Sequence, residues 1–281
     1  MLDTHCIYNG HVISIYEPAI SFTNRAFRYG DSLFESIRYT NGKIMFLADH
    51  VKRIKLSMTT LRMNVPAEFT CANIEQLILH LIEQNKLKNE ARIRLTVFRN
   101  EGGFYTPDTN DISFLIESEA LETSGYTLNQ KGLWVDIYAE IKKQITKISN
   151  LKTGSALMYV MAGITKKSLK LDDCLLVNEN GNIIESINAN IFVVKNGTLY
   201  TSPITDGCID GVMRKQILDI AAQHKILSFE QPLTVHTLTN GDEVFLTNAI
   251  KGIQWVGQFK NKFYTNQKSV FFTEKLNELA Q

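Results

Sequence analysis

The stretch from Leu33 to Phe46, LFESIRYTNGKIMF, sets the architecture of the first half of the chain. Residues alternate well enough between apolar and polar from Leu33 to Tyr39 to predict a strand. Asn41-Gly42 then supplies two residues that tolerate the positive φ angles of a tight hairpin, and Lys43 to Phe46 returns as the second strand. The first half is therefore expected to begin with antiparallel sheet.

Two helices and two further strands follow this hairpin. Apolar residues recur at helical spacing from Ala48 to Met63 and from Cys71 to Asn85, which predicts two helices beside the sheet. Ala91 to Arg99 and Ile112 to Glu119 are typical of strands, and a loop containing Gly102-Gly103 separates them. The class indicated for this half is α+β.

The chain then loses its periodicity, which indicates a boundary between domains. Residues 118–130 alternate between polar and apolar without a clear period, so we predict an N-terminal α+β domain at 1–119, a linker at 120–130 and a larger, β-rich C-terminal domain at 131–281. For the second domain we predict helices at Leu157 to Ser168 and at Val212 to His224, a hairpin at Asn196-Gly197, and strands at 133–138, 174–177, 183–185, 191–194, 198–201, 226–229 and 243–247.

Composition narrows the kind of partner. The 281 residues include 30 basic and 29 acidic side chains, which gives a formal charge of +1 and no basic patch for nucleic acid or an anionic membrane. No apolar run approaches the roughly 18 residues of a membrane span, and residues 1–10 lack the pattern of a signal peptide. We therefore expect a cytoplasmic protein with a small-molecule partner. Four cysteines and six histidines lie far apart, so no metal site is expected.

Several short motifs, each weak alone, follow one another in a fixed order. Lys152, Glu185 and Arg53 would individually be ordinary charged residues. The motifs together resemble the class IV family of pyridoxal phosphate enzymes, over nearly the whole chain. They are Asn24-Arg25-Ala26-Phe27-Arg28-Tyr29-Gly30-Asp31, Phe34-Glu35, His50-Val51-Lys52-Arg53, Lys152, Glu185 with Asn190-Ile191-Phe192, Gly211-Val212-Met213-Arg214, and Thr247-Asn248-Ala249.

This resemblance implies a two-domain enzyme of fold type IV, similar to D-amino acid aminotransferases, with pyridoxal 5'-phosphate as cofactor. Lys152 matches the family lysine, whose amine condenses with the cofactor aldehyde and later carries a proton. Glu185 matches the carboxylate that keeps the pyridine nitrogen protonated. Resemblance also implies a homodimer, with the cofactor in the cleft between the two domains.

The cofactor phosphate needs hydrogen-bond donors in a fixed position. Gly211-Val212-Met213 opens a predicted helix, and a helix N-terminus offers unpaired N–H groups, so the backbone of Val212 and Met213 is expected to bind the phosphate. The resemblance adds the guanidinium of Arg53 and the segment Thr247-Asn248 as further donors.

The substrate divides the family, and this chain departs from each pattern. Where D-amino acid aminotransferases have an arginine-rich loop ending in histidine, this chain has Arg99 to Tyr105, RNEGGFY. Branched-chain enzymes show Phe-Glu-Gly and a tyrosine soon after the lysine, but here Phe34-Glu35-Ser36 and Leu157 stand at those places. In favour of the branched-chain type, Arg92-Ile93-Arg94 resembles their Tyr-x-Arg strand. Residues expected to shape the substrate pocket are Tyr29, Phe34, Arg94 and Tyr105.

Three functions remain open from the sequence. The Gly-Gly loop with its aromatic residue, the Gly-Val-Met-Arg helix start and Ser36 resemble aminodeoxychorismate lyase, which eliminates pyruvate to give 4-aminobenzoate. We favour an amino-acid aminotransferase of the branched-chain type, because most members of the family transaminate. A non-catalytic binding protein on the same fold is the third hypothesis, against which the intact set of Lys152, Glu185 and Arg53 argues.

Overall fold

The computed structural model describes residues 4–17 and 20–280. The chain divides into two compact units. The first runs to Gly125 and includes the short segment Leu151–Ser155 and Ala280, and the second comprises Tyr126–Asn150 and Ala156–Leu279. The boundary at Gly125 falls within the stretch predicted as a linker. The segment around Lys152 belongs to the first unit, whereas the sequence prediction assigned it to the second domain.

The first unit is a six-stranded antiparallel sheet with helices packed on it. Its strands are β1 His5–Tyr8, β2 His11–Ser14, β3 Ser32–Thr40, β4 Lys43–Ile44, β5 Glu90–Arg99 and β6 Ile112–Ala120, arranged in the order β2-β1-β6-β5-β3-β4. Its helices are α1 Arg25–Tyr29, α2 Leu47–Thr60 and α3 Cys71–Gln84. Asn41 and Gly42 have φ angles of 50° and 81°, which confirms the hairpin predicted between β3 and β4.

Alternation along β3 and β5 builds the core of this unit. The two strands pair from Ser32 with Phe98 to Thr40 with Glu90, so every second side chain of each faces the helices. Ile37 and Ile93 lie opposite each other and are fully buried, together with Ile54 of α2 and Ile78 of α3. This burial of one apolar face fixes the register, because a slip by one residue would turn that face to solvent.

The second unit is built on a nine-stranded sheet. Its strands are β7 Leu133–Lys143, β8 Asp173–Asn178, β9 Ile183–Ser186, β10 Asn190–Lys195, β11 Thr198–Thr201, β12 Ser228–Glu230, β13 Glu243–Asn248, β14 Gly252–Phe259 and β15 Lys262–Phe263. Its α-helices are α4 Leu157–Ser168, α5 Val212–Gln223, α6 Val235–Thr239 and α7 Gln267–Leu279.

Six of these strands close into a barrel. The strand order runs β12-β11-β10-β13-β14-β7-β8-β9. Because β9 also pairs with β10, the six strands from β10 to β9 form a closed ring. A single residue pair, Glu185 with Asn190, makes that closing contact. The interior holds buried aliphatic side chains such as Val135, Ile191 and Leu246.

Most of the long elements agree with the sequence prediction, but the helix α7, the strand β14 and several short elements do not appear in it. The α+β class, the hairpins and α2 to α5 are confirmed. The helix α7 was missed because its buried face mixes Ser269 and Thr273 with Phe272 and Leu276, which hides the apolar period. No helix within residues 4–17 and 20–280 is long and apolar enough to cross a membrane.

Candidate active site

The backbone around Lys152 is held against β3 in the first unit. The Phe34 N–H donates to the Lys152 carbonyl over 2.9 Å, and the Gly154 N–H donates to the Ser32 carbonyl over 2.8 Å. Leu33 and Thr153 form an isolated antiparallel bridge between these two contacts. These contacts explain why the segment belongs to the first unit, and they fix the position of the Lys152 backbone from which the side chain extends.

Two cationic side chains contact the ring of Phe34. The Lys152 Nζ atom lies 4.4 Å from the ring centroid, and the Arg94 Cζ atom lies 3.9 Å from it. Arg94 is placed there because it pairs with Ser36, two residues along β3 from Phe34. Partial burial lowers the pKa of Arg94, although Glu117 at 3.9 Å opposes the shift. The structure thus brings together three of the predicted residues, namely an amine, an aromatic face and a guanidinium.

The other two predicted substrate residues form a separate aromatic pair. The rings of Tyr29 and Tyr105 lie 5.5 Å apart, and the Arg25 guanidinium lies 5.0 Å from the ring of Tyr29. Arg25 also donates to the carbonyls of Gly102 and Phe104 over 3.0 Å and 2.6 Å, which ties down the loop that carries Tyr105. Tyr105 itself is 90% exposed in the single chain.

Arg53 of α2 belongs to a buried cluster with Glu35 and His50. The Arg53 guanidinium donates to both oxygens of Glu35, with an Nε to Oε1 distance of 2.7 Å, and His50 Nδ1 lies 2.7 Å from Glu35 Oε2. Burial opposes ionisation of Glu35, but the Arg53 charge and the His50 hydrogen bond outweigh it and hold the pKa of Glu35 at about 2. Arg53 is therefore held rigidly, and its predicted binding of phosphate stays a prediction.

In the second unit, three polar side chains lie in a row across the sheet. Glu185 pairs with Asn190 between β9 and β10, and Asn190 pairs with Thr247 between β10 and β13. Residues directly opposite each other in antiparallel strands present their side chains on the same face, roughly 5 Å apart. All three residues are buried. The closing pair of the barrel thus brings two of the predicted cofactor residues, Glu185 and Thr247, to either side of Asn190.

The N-terminus of α5 begins beside this row. Asn190 Nδ2 donates to the Ile209 carbonyl and the Ile209 N–H donates to Glu185 Oε2, each over 2.8 Å. A Cβ atom on Gly211 would lie 1.9 Å from Asn190 Oδ1, so the chain can pass here only as glycine. Gly211 is the N-cap of α5 and brings no side chain to cap it. The first N–H groups of the helix, at Val212 and Met213, are therefore presented beside Asn190.

Thr247 and Asn248 behave differently. The Thr247 hydroxyl is buried without a hydrogen-bond partner among the described residues, an arrangement that is costly unless a ligand supplies one. The Asn248 side chain already accepts from the N–H groups of Ile250 and Lys251 over 3.1 Å and 2.8 Å, which closes the turn after β13. The Asn248 amide nitrogen donates to Asn188 Oδ1 over 3.4 Å, so of the two predicted donors it is the Thr247 hydroxyl that the fold leaves available for a phosphate oxygen.

The residues of this unit fit the phosphate and ring of pyridoxal phosphate. An orphaned hydroxyl, a helix N-terminus with no capping side chain and a glycine that keeps the approach clear are the features that an anion requires. Glu185 supplies a carboxylate on the same face of the sheet. The donor set is therefore the one that a phosphorylated pyridine requires.

Sequence reasoning missed two side chains that contact Glu185. Lys143 Nζ lies 2.6 Å from Glu185 Oε1, and the Tyr159 hydroxyl donates to the same oxygen over 2.8 Å. Lys143 also donates to the Tyr159 hydroxyl over 2.9 Å. These residues come from β7 and α4, so no local spacing connects them with Glu185. Asn190 lies in one of the sequence motifs, but the sequence did not predict its contacts with Ile209 and Gly211.

Comparisons with known proteins agree with this geometry. The family model described as amino-transferase class IV matches residues 32–259. A putative branched-chain-amino-acid aminotransferase of Methanocaldococcus jannaschii is 27% identical over 272 residues, covering 96% of this chain and 93% of that protein. A D-alanine aminotransferase of Bacillus licheniformis is 24% identical over 249 residues, covering 86% and 83%.

A solved structure shows the same fold. The branched-chain aminotransferase of Thermoproteus uzoniensis with norvaline superposes with a TM-score of 0.88 at 20% identity, covering 99% of this chain and 94% of that one. The fold type IV architecture expected from the motifs is confirmed. With the family match spanning residues 32–259, the chain belongs to the class IV aminotransferases and is a pyridoxal phosphate-dependent transaminase.

Proposed function

We propose that this transaminase is of the branched-chain type and exchanges the amino group of an L-amino acid with a 2-oxo acid. The observation that carries the proposal is the ring of Phe34, with Lys152 Nζ 4.4 Å and Arg94 Cζ 3.9 Å from its centroid. A guanidinium binds a carboxylate by paired hydrogen bonds, and an aromatic face accepts an aliphatic side chain. The name of the Methanocaldococcus jannaschii relative supports the same substrate class.

Each predicted residue takes a role in this reaction. When bound, pyridoxal phosphate supplies an aldehyde that takes up the amino group and a ring that draws electrons away from Cα. Lys152 would take the proton from Cα of the substrate and deliver it to the former aldehyde carbon of the cofactor, and would carry it back in the reverse half-reaction. Glu185 accepts a hydrogen bond from the ring nitrogen. The phosphate is bound by the N–H groups of Val212 and Met213 and by the Thr247 hydroxyl.

Arg53, Asn248, Tyr29 and Tyr105 have supporting roles in the proposal. Arg53 adds positive charge for the phosphate, and its hydrogen bonds to Glu35 restrain the rotamer of its side chain. Asn248 shapes the turn that follows Thr247. Tyr29 and Tyr105 form an aromatic wall at the substrate.

A half-reaction tests the proposal. Purified protein with bound cofactor is mixed with L-leucine, L-glutamate or D-alanine, without a 2-oxo acid, and the visible absorbance of the aldehyde form is followed. We expect L-leucine and L-glutamate to convert it to the amine form, and Lys152→Ala to abolish both the band and the conversion. Lys147→Ala, at an exposed lysine of the same region, is the matched control. Conversion by D-alanine alone would replace the branched-chain type with the D-amino acid type.

Conversion by none of the three amino acids, with the aldehyde band intact, would contradict the proposed branched-chain type. Aminodeoxychorismate would then be tested for release of pyruvate and 4-aminobenzoate, the products of the lyase.

We also propose that the protein is a cytoplasmic homodimer. All four cysteines are free thiols, which fits a reducing compartment. One face of α4 presents Leu157, Val160 and Ile164, which are 73%, 54% and 58% exposed. An apolar stripe of this kind at helical spacing fits coverage by a second copy of the chain.

A further inference from the structure

Glu185 is surrounded by donors before any ligand is considered. Its Oε1 atom accepts from Lys143 Nζ at 2.6 Å and from the Tyr159 hydroxyl at 2.8 Å, and its Oε2 atom accepts from the Ile209 N–H at 2.8 Å. The side chain of Glu185 is 4% exposed and that of Lys143 is 12% exposed. Both partners are therefore largely withdrawn from water, and their pairing is only weakly screened.

The groups that contact this carboxyl group are all hydrogen-bond donors. An ammonium group at hydrogen-bond distance and two further donors match the acceptor oxygens of a carboxylate. Burial and the charge of Glu185 raise the pKa of Tyr159, so its hydroxyl keeps its proton and donates it. Burial likewise raises the pKa of Cys208 to about 12, so this neighbouring thiol adds no negative charge.

We propose that Lys143 and Tyr159 are positioning residues that hold Glu185 as an oriented carboxylate for the ring nitrogen of the cofactor. The inference rests on the proposed role of Glu185. A carboxylate accepts a hydrogen bond from a protonated ring nitrogen, and its negative charge keeps the proton there. A neutral carboxyl would instead donate its own proton to an unprotonated nitrogen, and the ring would lose its positive charge. Lys143 places a cation against Oε1, and the Tyr159 hydroxyl fixes the rotation of the carboxylate through the same oxygen.

Nitrogen-15 magnetic resonance of protein loaded with ring-labelled pyridoxal phosphate tests this without any turnover. Protonated and unprotonated pyridine nitrogens have well-separated chemical shifts. We expect Lys143→Met to move the resonance towards the unprotonated position and to raise the cofactor dissociation constant about tenfold or more. Tyr159→Phe keeps the nitrogen protonated and weakens cofactor binding only a few-fold.

Two further lysine variants serve as controls for the position and the charge of Lys143. Lys142→Met removes an exposed lysine from the same strand and is expected to change neither the resonance nor the affinity. Lys143→Arg keeps a cation beside Glu185 and is expected to restore the protonated resonance. Urea denaturation of each variant without cofactor verifies that it is folded. A folded Lys143→Met protein with an unchanged resonance and an unchanged dissociation constant would overturn the inference.

Glu185→Gln distinguishes this failure from failure of the proposed function. We expect the amide to lose the protonated resonance altogether. If Glu185→Gln shifts the resonance and Lys143→Met does not, Glu185 keeps its role and the positioning inference falls. If Glu185→Gln leaves the nitrogen protonated, the role assigned to Glu185 is itself wrong.

Discussion

Glu35 shows how one buried carboxylate links the fold to pH. Its pKa lies at about 2 in the folded protein, against an ordinary value of 4.5, because Arg53 and His50 outweigh the effect of burial. The unfolded chain therefore takes up a proton below pH 4.5 that the folded protein takes up only near pH 2. The contribution of Glu35 to stability is fully present above pH 4.5 and is lost as the pH falls towards 2.

We expect roughly 2 kcal/mol of unfolding free energy to be lost between pH 6 and pH 3, and about 3 kcal/mol once the pH reaches 2. Urea denaturation between pH 6 and pH 3 measures it in the native protein and in Glu35→Gln. Burial also lowers the pKa of His50, so a loss in the same direction begins at higher pH, below its ordinary value of 6.5. Identical slopes for the two proteins below pH 4.5 would show that Glu35 does not carry the effect.

Arg94 is the residue whose removal tests substrate recognition. Replacing it with methionine would remove the proposed charge-assisted hydrogen bond to the substrate carboxylate, so kcat/KM for L-glutamate and L-leucine is expected to fall about 10- to 100-fold. Arg92→Met is the matched control, since Arg92 lies on the same strand and pairs with Glu119 at 3.5 Å. Equal losses in the two variants would show a general effect of charge on the strand rather than a binding role.

At the scale of single residues, the sequence could predict site residues only where a motif carried them. Lys152, Glu185 and Thr247 stand in motifs whose order is readable in one chain, and the structure places the last two on one face. Lys143 and Tyr159 could not be found in this way. They contact Glu185 only because β7, α4 and β9, which are separate in the sequence, come together in the fold. No motif or spacing in the sequence records such a contact.

Among the elements, α5 depends on a glycine at its start. Gly211→Ala would place a Cβ atom 1.9 Å from Asn190 Oδ1, and Asn190 is held by its bond to Ile209, so the helix start must shift. We expect the cofactor dissociation constant to rise about tenfold or more, because the N–H groups of Val212 and Met213 move with it. Fluorescence titration of the protein with pyridoxal phosphate measures this.

A second glycine provides the control. A Cβ atom on Gly163, inside α4, would meet nothing within 4 Å. Gly163→Ala is therefore expected to leave cofactor binding unchanged and to stabilise the protein by about 0.5–1 kcal/mol, as alanine does in helices. If both variants bound the cofactor equally well, the helix start would have no part in binding it.

Elements of clear periodicity could be predicted, and those of mixed polarity could not. The helix α4 was predicted with its observed bounds, Leu157–Ser168, from its composition and spacing. The strand β7 extends to Lys143, five residues past its predicted end at Tyr138. The prediction stopped early because the last residues of the strand are mostly polar and exposed, which hides the alternating pattern. That extension carries Lys143 to Glu185, so the functional contact lies in the part that periodicity could not reveal.

For the whole molecule, the exposed face of α4 bears on assembly. Val160→Lys places a charge in the apolar stripe and is expected to shift the protein from dimer to monomer in light scattering after gel filtration. Leu56→Lys is the control, since Leu56 is 62% exposed on α2, outside that stripe. A dimer that survives Val160→Lys, or a native protein that is already a monomer, would contradict the proposed interface.

The class of the molecule could be predicted from its sequence, but the closure of the barrel could not. Strand positions and the short turn between β9 and β10 follow from local patterns, whereas closure depends on the strands that lead from β10 through β13, β14, β7 and β8 back to β9. Closure by Glu185 and Asn190 is a property of topology, and it decides which predicted residues become neighbours.

The closure also implies that bound cofactor would stabilise the pairing of β9 with β10. β9 and β10 share a single ladder pair, Glu185 with Asn190, next to the turn that the Ser186 N–H closes on the Ala189 carbonyl. We therefore expect this pairing to open by local unfolding more readily than the longer ladders. A ligand bound to Glu185 and Thr247 spans both sides of this pairing and must be released before it opens. Backbone amides of β9 and of the following turn are therefore expected to exchange with deuterium faster in the empty protein than in the loaded one. Such a difference would make the cofactor a structural clasp as well as a reagent.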